Sequence, residues 1–301
     1  MKSIWVAGEV LIDLIPGSAG VTPVVGGGPA NTAVALAQLG FDTHFIDGMS
    51  TDAYGVKAKV ALESKGVQLD FVKLSDKPTC TATLVLDSSG SATYEFLIDG
   101  TATFDFDLNW LPDPHKYNPS LLHVGTLATV IEPGASQLYE WAREVSDVAP
   151  VIYDPNVRPS VMSDRNEYHA EVEKWASIAT CVKVSEDDIS WLYPGETQTS
   201  VAEKWLHMGV ALVVITLGSE GLVGITSYGQ VKVPALKAIV VDTVGAGDTV
   251  GGIIAEAIVE HGILTLHGEL LRATLLRAAK AASITCSRAG AQPPTRKELE
   301  A

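Results

Sequence analysis

Short apolar runs rich in β-branched residues alternate with helical patterns along nearly the whole chain. The runs fall at 3–8, 43–47, 121–124, 151–154, 181–184, 212–216 and 222–226. Helical patterns occupy 29–39, 53–65, 134–147, 167–179, 200–208, 248–260 and 268–286. Such alternation predicts an α/β fold, a mostly parallel sheet with helices on both faces. One region breaks the rhythm. Residues 71–74, 79–86 and 92–98 alternate apolar and polar positions and are split by the turn Asp87-Ser88-Ser89-Gly90. Cys80 to Ile98 therefore reads as a β-hairpin projecting from the main sheet, either a decorated edge or a lid over a site.

The length of 301 residues suits one large α/β domain or one with an accessory piece, and 47% apolar residues supply a sizeable core. Acidic side chains outnumber basic ones by 36 to 21, giving a net charge of −15. A polyanion is repelled by such a surface, so nucleic acid is not an expected partner. Cys80, Cys181 and Cys286 are odd in number and far apart, with no CxxC or Cys/His cluster, and read as buried free thiols of a reducing cytoplasm. Met1 to Glu9 reads as a first strand without a signal-peptide core. No apolar run approaches the roughly 18 residues a membrane span requires. No repeat or interdomain linker is visible.

The stretch Asp242-Thr243-Val244-Gly245-Ala246-Gly247-Asp248 follows the apolar run Ala238-Ile239-Val240-Val241, expected as a strand, and precedes the helical pattern Thr249 to Glu260. Two glycines and an alanine at a helix start leave backbone N–H groups bare for an anion. Asp248 places a potential base beside them. A second glycine cluster, Gly26-Gly27-Gly28-Pro29-Ala30-Asn31, opens a helix with an amide in its first turn. That amide suits adjacent hydroxyls, although glycine clusters also make tight turns. Asp13 lies just beyond the first strand, where open α/β sheets bind ligands, or it serves as a cap. Arg158, in Asp154-Pro155-Asn156-Val157-Arg158-Pro159, offers a fixed fork to a phosphate or carboxylate, or a surface ion pair. In Lys183-Val184-Ser185-Glu186-Asp187-Asp188 the acids are explained by the helix dipole, while Lys183 at a strand end is a natural phosphate contact. Thr216-Leu217-Gly218-Ser219-Glu220-Gly221 could edge a nucleotide or form a plain turn. No GxxxxGK[ST] occurs, which removes the P-loop. Gly245-Ala246-Gly247 with Gly251 mimics a dinucleotide fingerprint, yet residues 261–290 read as loop and long helix where an acid-tipped strand is needed.

Together these segments resemble the PfkB (ribokinase-like) family of carbohydrate kinases over nearly the whole chain, with Asp242 to Asp248 matching its DTxGAGD signature. The resemblance implies a ribokinase-like three-layer sandwich with a mostly parallel central sheet and a small β-sheet lid. It implies one kinase domain over 1–301, with lid segments at about 10–25 and 71–105. Asp248 would be the catalytic base, and Gly245, Ala246 and Gly247 the anion hole for the transferring phosphoryl group. Asp13, Gly26, Gly27, Asn31 and Arg158 would contact the sugar, with Tyr94 and Phe96 covering its ring from the lid. Thr216, Gly218 and Gly221 would take the nucleotide of ATP, with Lys183 near the phosphates. Glu186 would match the acid of the family's NxxE motif, which organises Mg²⁺ through water; Lys183 stands where that motif has Asn. Asp242 and Val244, with Thr285, Arg288 and Gly290, would form a monovalent cation site for K⁺. Lid strands of relatives often pair between subunits, which implies a homodimer. The segments at 154–159 and 183–188 are similar to those of fructokinases. Tyr94 to Thr101, however, lacks the arginine that often follows the fructokinase lid aromatic. The expected reaction is direct in-line transfer from ATP to fructose. 2-Keto-3-deoxygluconate, ribose or a nucleoside are the alternative acceptors, and a non-catalytic sugar-binding regulator is a remote one.

Overall fold

The β-branched runs pair as one sheet because helices cover them on both sides. A computed structural model describes residues 2–17, 20–86 and 92–301, with the backbone alone at 84–86 and 92–94. Its central sheet contains β1 (Ser3–Ala7), β4 (Asp42–Ile46), β9 (Leu121–Gly125), β10 (Val151–Asp154), β11 (Cys181–Ser185), β12 (Leu212–Thr216), β13 (Leu222–Thr226) and β14 (Gly229–Val233), in the order β14-β13-β12-β11-β10-β9-β1-β4. The pairs from β4 to β12 are parallel; β13 and β14 are added antiparallel.

Alternate side chains enter two cores. Ile4, Val6, Leu121, Ile152 and Val214 face the layer of α1 (Gly28–Gln38), α2 (Ala53–Ser64), α8 (Ala246–His261), α9 (Gly268–Cys286) and α10 (Arg296–Glu300). Trp5, Leu122, Val124, Tyr153 and Val182 face α4 (Gly134–Ser146), α5 (Arg165–Ala176), α6 (Glu186–Leu192) and α7 (Gln198–Met208), where Trp141, Trp175 and Trp205 pack. The short α3 (Pro114–Tyr117) brings Tyr117 beside Trp5 on that side. The result is the three-layer sandwich that the alternation predicts. The long helices begin and end within three residues of their sequence patterns.

A second sheet stands apart. It contains β2 (Leu11–Gly17), β3 (Gly20–Gly26), β7 (Thr81–Leu86) and β8 (Ala92–Leu97), in the order β3-β2-β7-β8. The expected hairpin supplies β7 and β8, paired antiparallel, while β2 joins β7 in parallel. The turn expected at 87–90 lies outside the described residues. β5 (Gly48–Ser50) and β6 (Lys73–Ser75) form a separate parallel pair, so the alternation at 71–74 belongs to neither large sheet.

The strand expected at Ala238–Val241 is absent. Residues 234–242 form an irregular segment in which Ile239 is 87% exposed. Pro234 ends the β14 ladder because it has no N–H to donate. The chain is instead tied to the end of α9, where Val241 N and Asp242 N donate to Cys286 O at 2.8 and 3.2 Å. Among the described residues no helix is long and apolar enough to cross a membrane.

Candidate active site

The glycine-rich entry to α8 creates the centre of the site. Gly245 is left-handed at φ 78°, and a Cβ there would lie 2.5 Å from that of Ala291, so glycine is needed on both counts. Ala246 N makes a long turn bond to Thr243 O at 3.3 Å, and the helix's own bonding begins at Thr249 N, which donates to Gly245 O. The N–H groups between are those a helix start leaves for an anion. Asp248 follows in the first turn and is buried. Its Oδ2 accepts a 2.8 Å hydrogen bond from Asn31 Nδ2, and Thr32 Oγ1 donates to its backbone carbonyl at 3.4 Å. Burial lifts the Asp248 carboxyl from 3.8 to about 6, with Lys183 and the Asn31 bond pulling the other way. Such a carboxylate is ionised at neutral pH yet basic enough to take a proton.

Lys183 enters from β11 beneath this helix start. Its Nζ pairs with Asp154 Oδ2 at 2.8 Å, both side chains being almost wholly buried. Burial opposes the charge, but Asp154, then Asp248 and Asp188, hold the ammonium above its ordinary range. A Cβ on Gly247 would stand 3.0 Å from that ammonium, so the cation underlies the start of α8.

Two cavities meet here. The first, of about 320 Å³, is lined by Asp13, Gly26, Gly27, Asn31, Phe96, Arg158, Lys183, Gly245, Gly247 and Asp248. Asp13 comes from β2; burial lifts it to about 6 against the pull of Arg158. Arg158 Nη1 donates to the carbonyls of Asn156 and Val157, both at 3.0 Å, so the loop after β10 braces its own guanidinium. The second cavity, of about 520 Å³, is more apolar. Thr216, Gly218 and Gly221 form one wall, and Val250, Ala279 and Ala282 another. Thr243 and Gly247 border both cavities, so the start of α8 is the threshold between a polar chamber and an apolar one.

The chain matches the pfkB family of carbohydrate kinases across residues 1–298. It belongs to that family. The fructokinase of Rhizobium leguminosarum bv. trifolii is 34% identical to this kinase over 268 residues, covering 87% of this chain and 81% of its own. The structure of Xylella fastidiosa fructokinase with bound ATP superposes with a TM-score of 0.92 at 23% identity over 99% and 97% of the two chains, which shows the shared fold. A Vibrio cholerae O395 fructokinase double mutant, solved with fructose, ADP and potassium ion bound, gives 0.87 at 26% identity over 100% and 97%.

Several other expected residues of this pfkB kinase line neither cavity. Glu186 lines neither cavity; it is exposed at the start of α6 and accepts from Gln198 Nε2 at 2.6 Å. The inward acid of that turn is Asp188. It closes a capping box with Ser185 and accepts from Val157 N at 3.0 Å, tying α6 to the loop that carries Arg158. The two halves of the expected cation loop do meet, through Asp242. Its Oδ1 accepts from Val244 N at 3.1 Å and its Oδ2 from Gly290 N at 2.8 Å, which holds its pKa low. Thr285 Oγ1 is instead within 2.9 Å of Thr249 Oγ1, and Arg288 turns to Glu298 and the carbonyls of Gln292 and Pro293. The side chain of Tyr94 lies outside the described residues. Sequence reasoning missed Glu9 and Thr126, which also line the first cavity. Glu9 carried one signal, a charge at the end of an apolar strand; Thr126 carried none.

Proposed function

We propose that this pfkB kinase is a fructokinase that transfers the γ-phosphoryl group of ATP to a hydroxyl of fructose, with Asp248 as the base. The observation that carries the reading is the shared border of the two cavities at Gly247, with Asp248 on the polar side. Fructose would lie against Asp13, Asn31 and Arg158, and the nucleotide along Thr216, Gly218 and Gly221. The acceptor O–H loses its proton to the Asp248 carboxylate as its oxygen bonds to the γ-phosphorus and the bond to the β-phosphate oxygen breaks in line. The N–H groups of Gly245 and Gly247, with that of Ala246 once it gives up its long bond to Thr243 O, take the charge that develops on the phosphoryl oxygens, and Lys183 supports them from below. No phosphoenzyme is needed.

Mg²⁺ would arrive with the phosphates of ATP and neutralise their charge. Among the described residues no cluster of three His, Cys, Asp or Glu offers a cage, which suits an ion that keeps its waters; Glu186 is the carboxylate proposed to reach those waters. A monovalent cation is proposed between the loops at 242–244 and 285–290. The potassium ion of the Vibrio cholerae fructokinase structure supports that proposal. The small sheet is proposed as a lid within a single domain, because Asp13, Ala82 and Phe96 reach the first cavity from it. Its outer strands β3 and β8 are proposed to pair with a second subunit. The free thiols Cys80, Cys181 and Cys286 support a reducing, cytoplasmic setting.

The test is turnover with ATP and fructose, ribose, 2-keto-3-deoxygluconate and a nucleoside. Fructose is expected to give the highest kcat/KM. If another acceptor exceeds it about tenfold, fructose is the wrong substrate while phosphoryl transfer stands. If none is phosphorylated, the kinase reading falls.

A further inference from the structure

Glu9 follows β1 and is 2% exposed, yet it borders the first cavity. Its two oxygens hold one short turn. Oε1 accepts from Thr126 Oγ1, and Oε2 accepts from Ala128 N at 3.2 Å. That turn, Thr126–Thr129, begins with a β-branched residue at φ 59°. A β-branched side chain rarely adopts this conformation, and it persists only where its surroundings enforce it. The strained residue is also the one that touches the centre of the site. A Cβ built on Gly28 would lie 2.8 Å from Thr126 Cγ2 and 3.3 Å from Asp248 Oδ1. The Thr126 methyl, the Gly28 backbone and the base therefore surround one small volume. All three line the first cavity, and in the proposed reaction the acceptor carbon bearing the reacting hydroxyl packs beside them there.

We propose that Glu9 is a positioning residue for the acceptor, acting through the strained Thr126 turn. The proposal rests on the first cavity being the acceptor site. Glu9 holds Thr126 in its left-handed conformation, and the Thr126 methyl in turn sets how closely the acceptor carbon approaches Asp248. A buried carboxylate is a poor choice for stability alone; burial lifts Glu9 to about 7, so folding works against its charge. A purely structural acid would affect both substrates equally when removed. Thr126 and Leu127 line the first cavity but not the second, so loss of the clamp should be felt on one side only.

The experiment measures KM for fructose and for ATP separately, with fructose affinity by calorimetry in the absence of ATP. Glu9→Ala is expected to raise fructose KM and Kd about tenfold and to leave ATP KM within about twofold. Thr126→Gly removes that methyl and should itself raise fructose KM, and in that background Glu9→Ala should add no more than about twofold, because the clamp then has nothing to position. Glu9→Gln, whose amide can accept from Ala128 N and donate to Thr126 Oγ1, should lose less than Glu9→Ala. If Glu9→Ala does not fold, the same comparison is made with Glu9→Gln and Glu9→Gln/Thr126→Gly. The proposal is overturned if the two KM values rise together, if fructose binding stays within about twofold of the parent, or if Glu9→Ala costs as much fructose affinity in the Thr126→Gly background as in the parent. Wild-type protein that phosphorylates fructose while these variants behave so would leave the kinase reading intact.

Discussion

Replacing Asp248 by Asn should move activity and stability in opposite directions. The carboxyl is 8% exposed and its pKa sits at about 6 against an ordinary 3.8. Folding therefore favours the protonated acid. That favour is complete below about pH 4 and is lost as pH rises through about 6, where the buried group must ionise. The gap costs the native state about 3 kcal/mol at pH 8, and roughly half of that at pH 5. An amide of the same shape removes the cost and can still meet Asn31 after turning its oxygen toward Asn31 Nδ2. For a chain of this length about 3 kcal/mol corresponds to about 5 °C in Tm. The same change removes the proposed base, so kcat with ATP and fructose should fall at least about 10²-fold. Thermal unfolding at pH 8 and pH 5, with steady-state rates, tests both arms. A kcat within about tenfold of the parent refutes Asp248 as base. A Tm lowered at both pH values refutes the electrostatic argument.

Lys183→Met leaves Asp154 buried without its counter-ion, with Asp154 Oδ1 already unpartnered. The expected loss is about 3–5 kcal/mol, read as a Tm lower by about 5–8 °C; an unchanged Tm would show that the pair is not a buried charge pair. Gly26→Ala would set a Cβ 2.2 Å from Asp13 Oδ2 and push that carboxylate aside. Fructose KM should rise about tenfold with ATP KM little changed, and an equal rise in both would place Asp13 outside the acceptor site.

Much of this site was legible because its demands are local. A helix start that must expose N–H groups beside a carboxylate needs glycines at fixed offsets, and Gly245 to Asp248 carries them in order. Gly26 to Asn31 is legible for the same reason. The Ala238–Val241 run misled because β-branched residues suit an apolar cavity wall as well as a sheet edge. Ala238 and Val240 line the second cavity, and only Pro234 hinted that the ladder had ended. Glu186 and Asp188 could not be ranked by composition, as three acids in a row all suit a helix N-terminus. The spacing of Ser185 and Asp188 held the answer, since a capping box turns the third acid inward. Glu9 and Thr126 meet across 117 residues of sequence, and no pattern within either segment reports that contact.

The packing of α1 against α8 has a consequence for how such an enzyme changes. A Cβ added to Gly252 would come within 3.0 Å of that of Ala35, so the two helices are nearly as close as side chains allow. Asn31 and Asp248 ride on these helices and keep their spacing as long as that contact is kept. The groups facing the rest of the acceptor chamber, Asp13, Ala82, Phe96 and Arg158, stand on the small sheet and a surface loop instead. In the proposed reaction, proton removal and much of acceptor choice are thus mounted on separate parts. A lineage, or a designer, can exchange the outer walls for a new acceptor while the helix pair carries the chemistry forward unchanged.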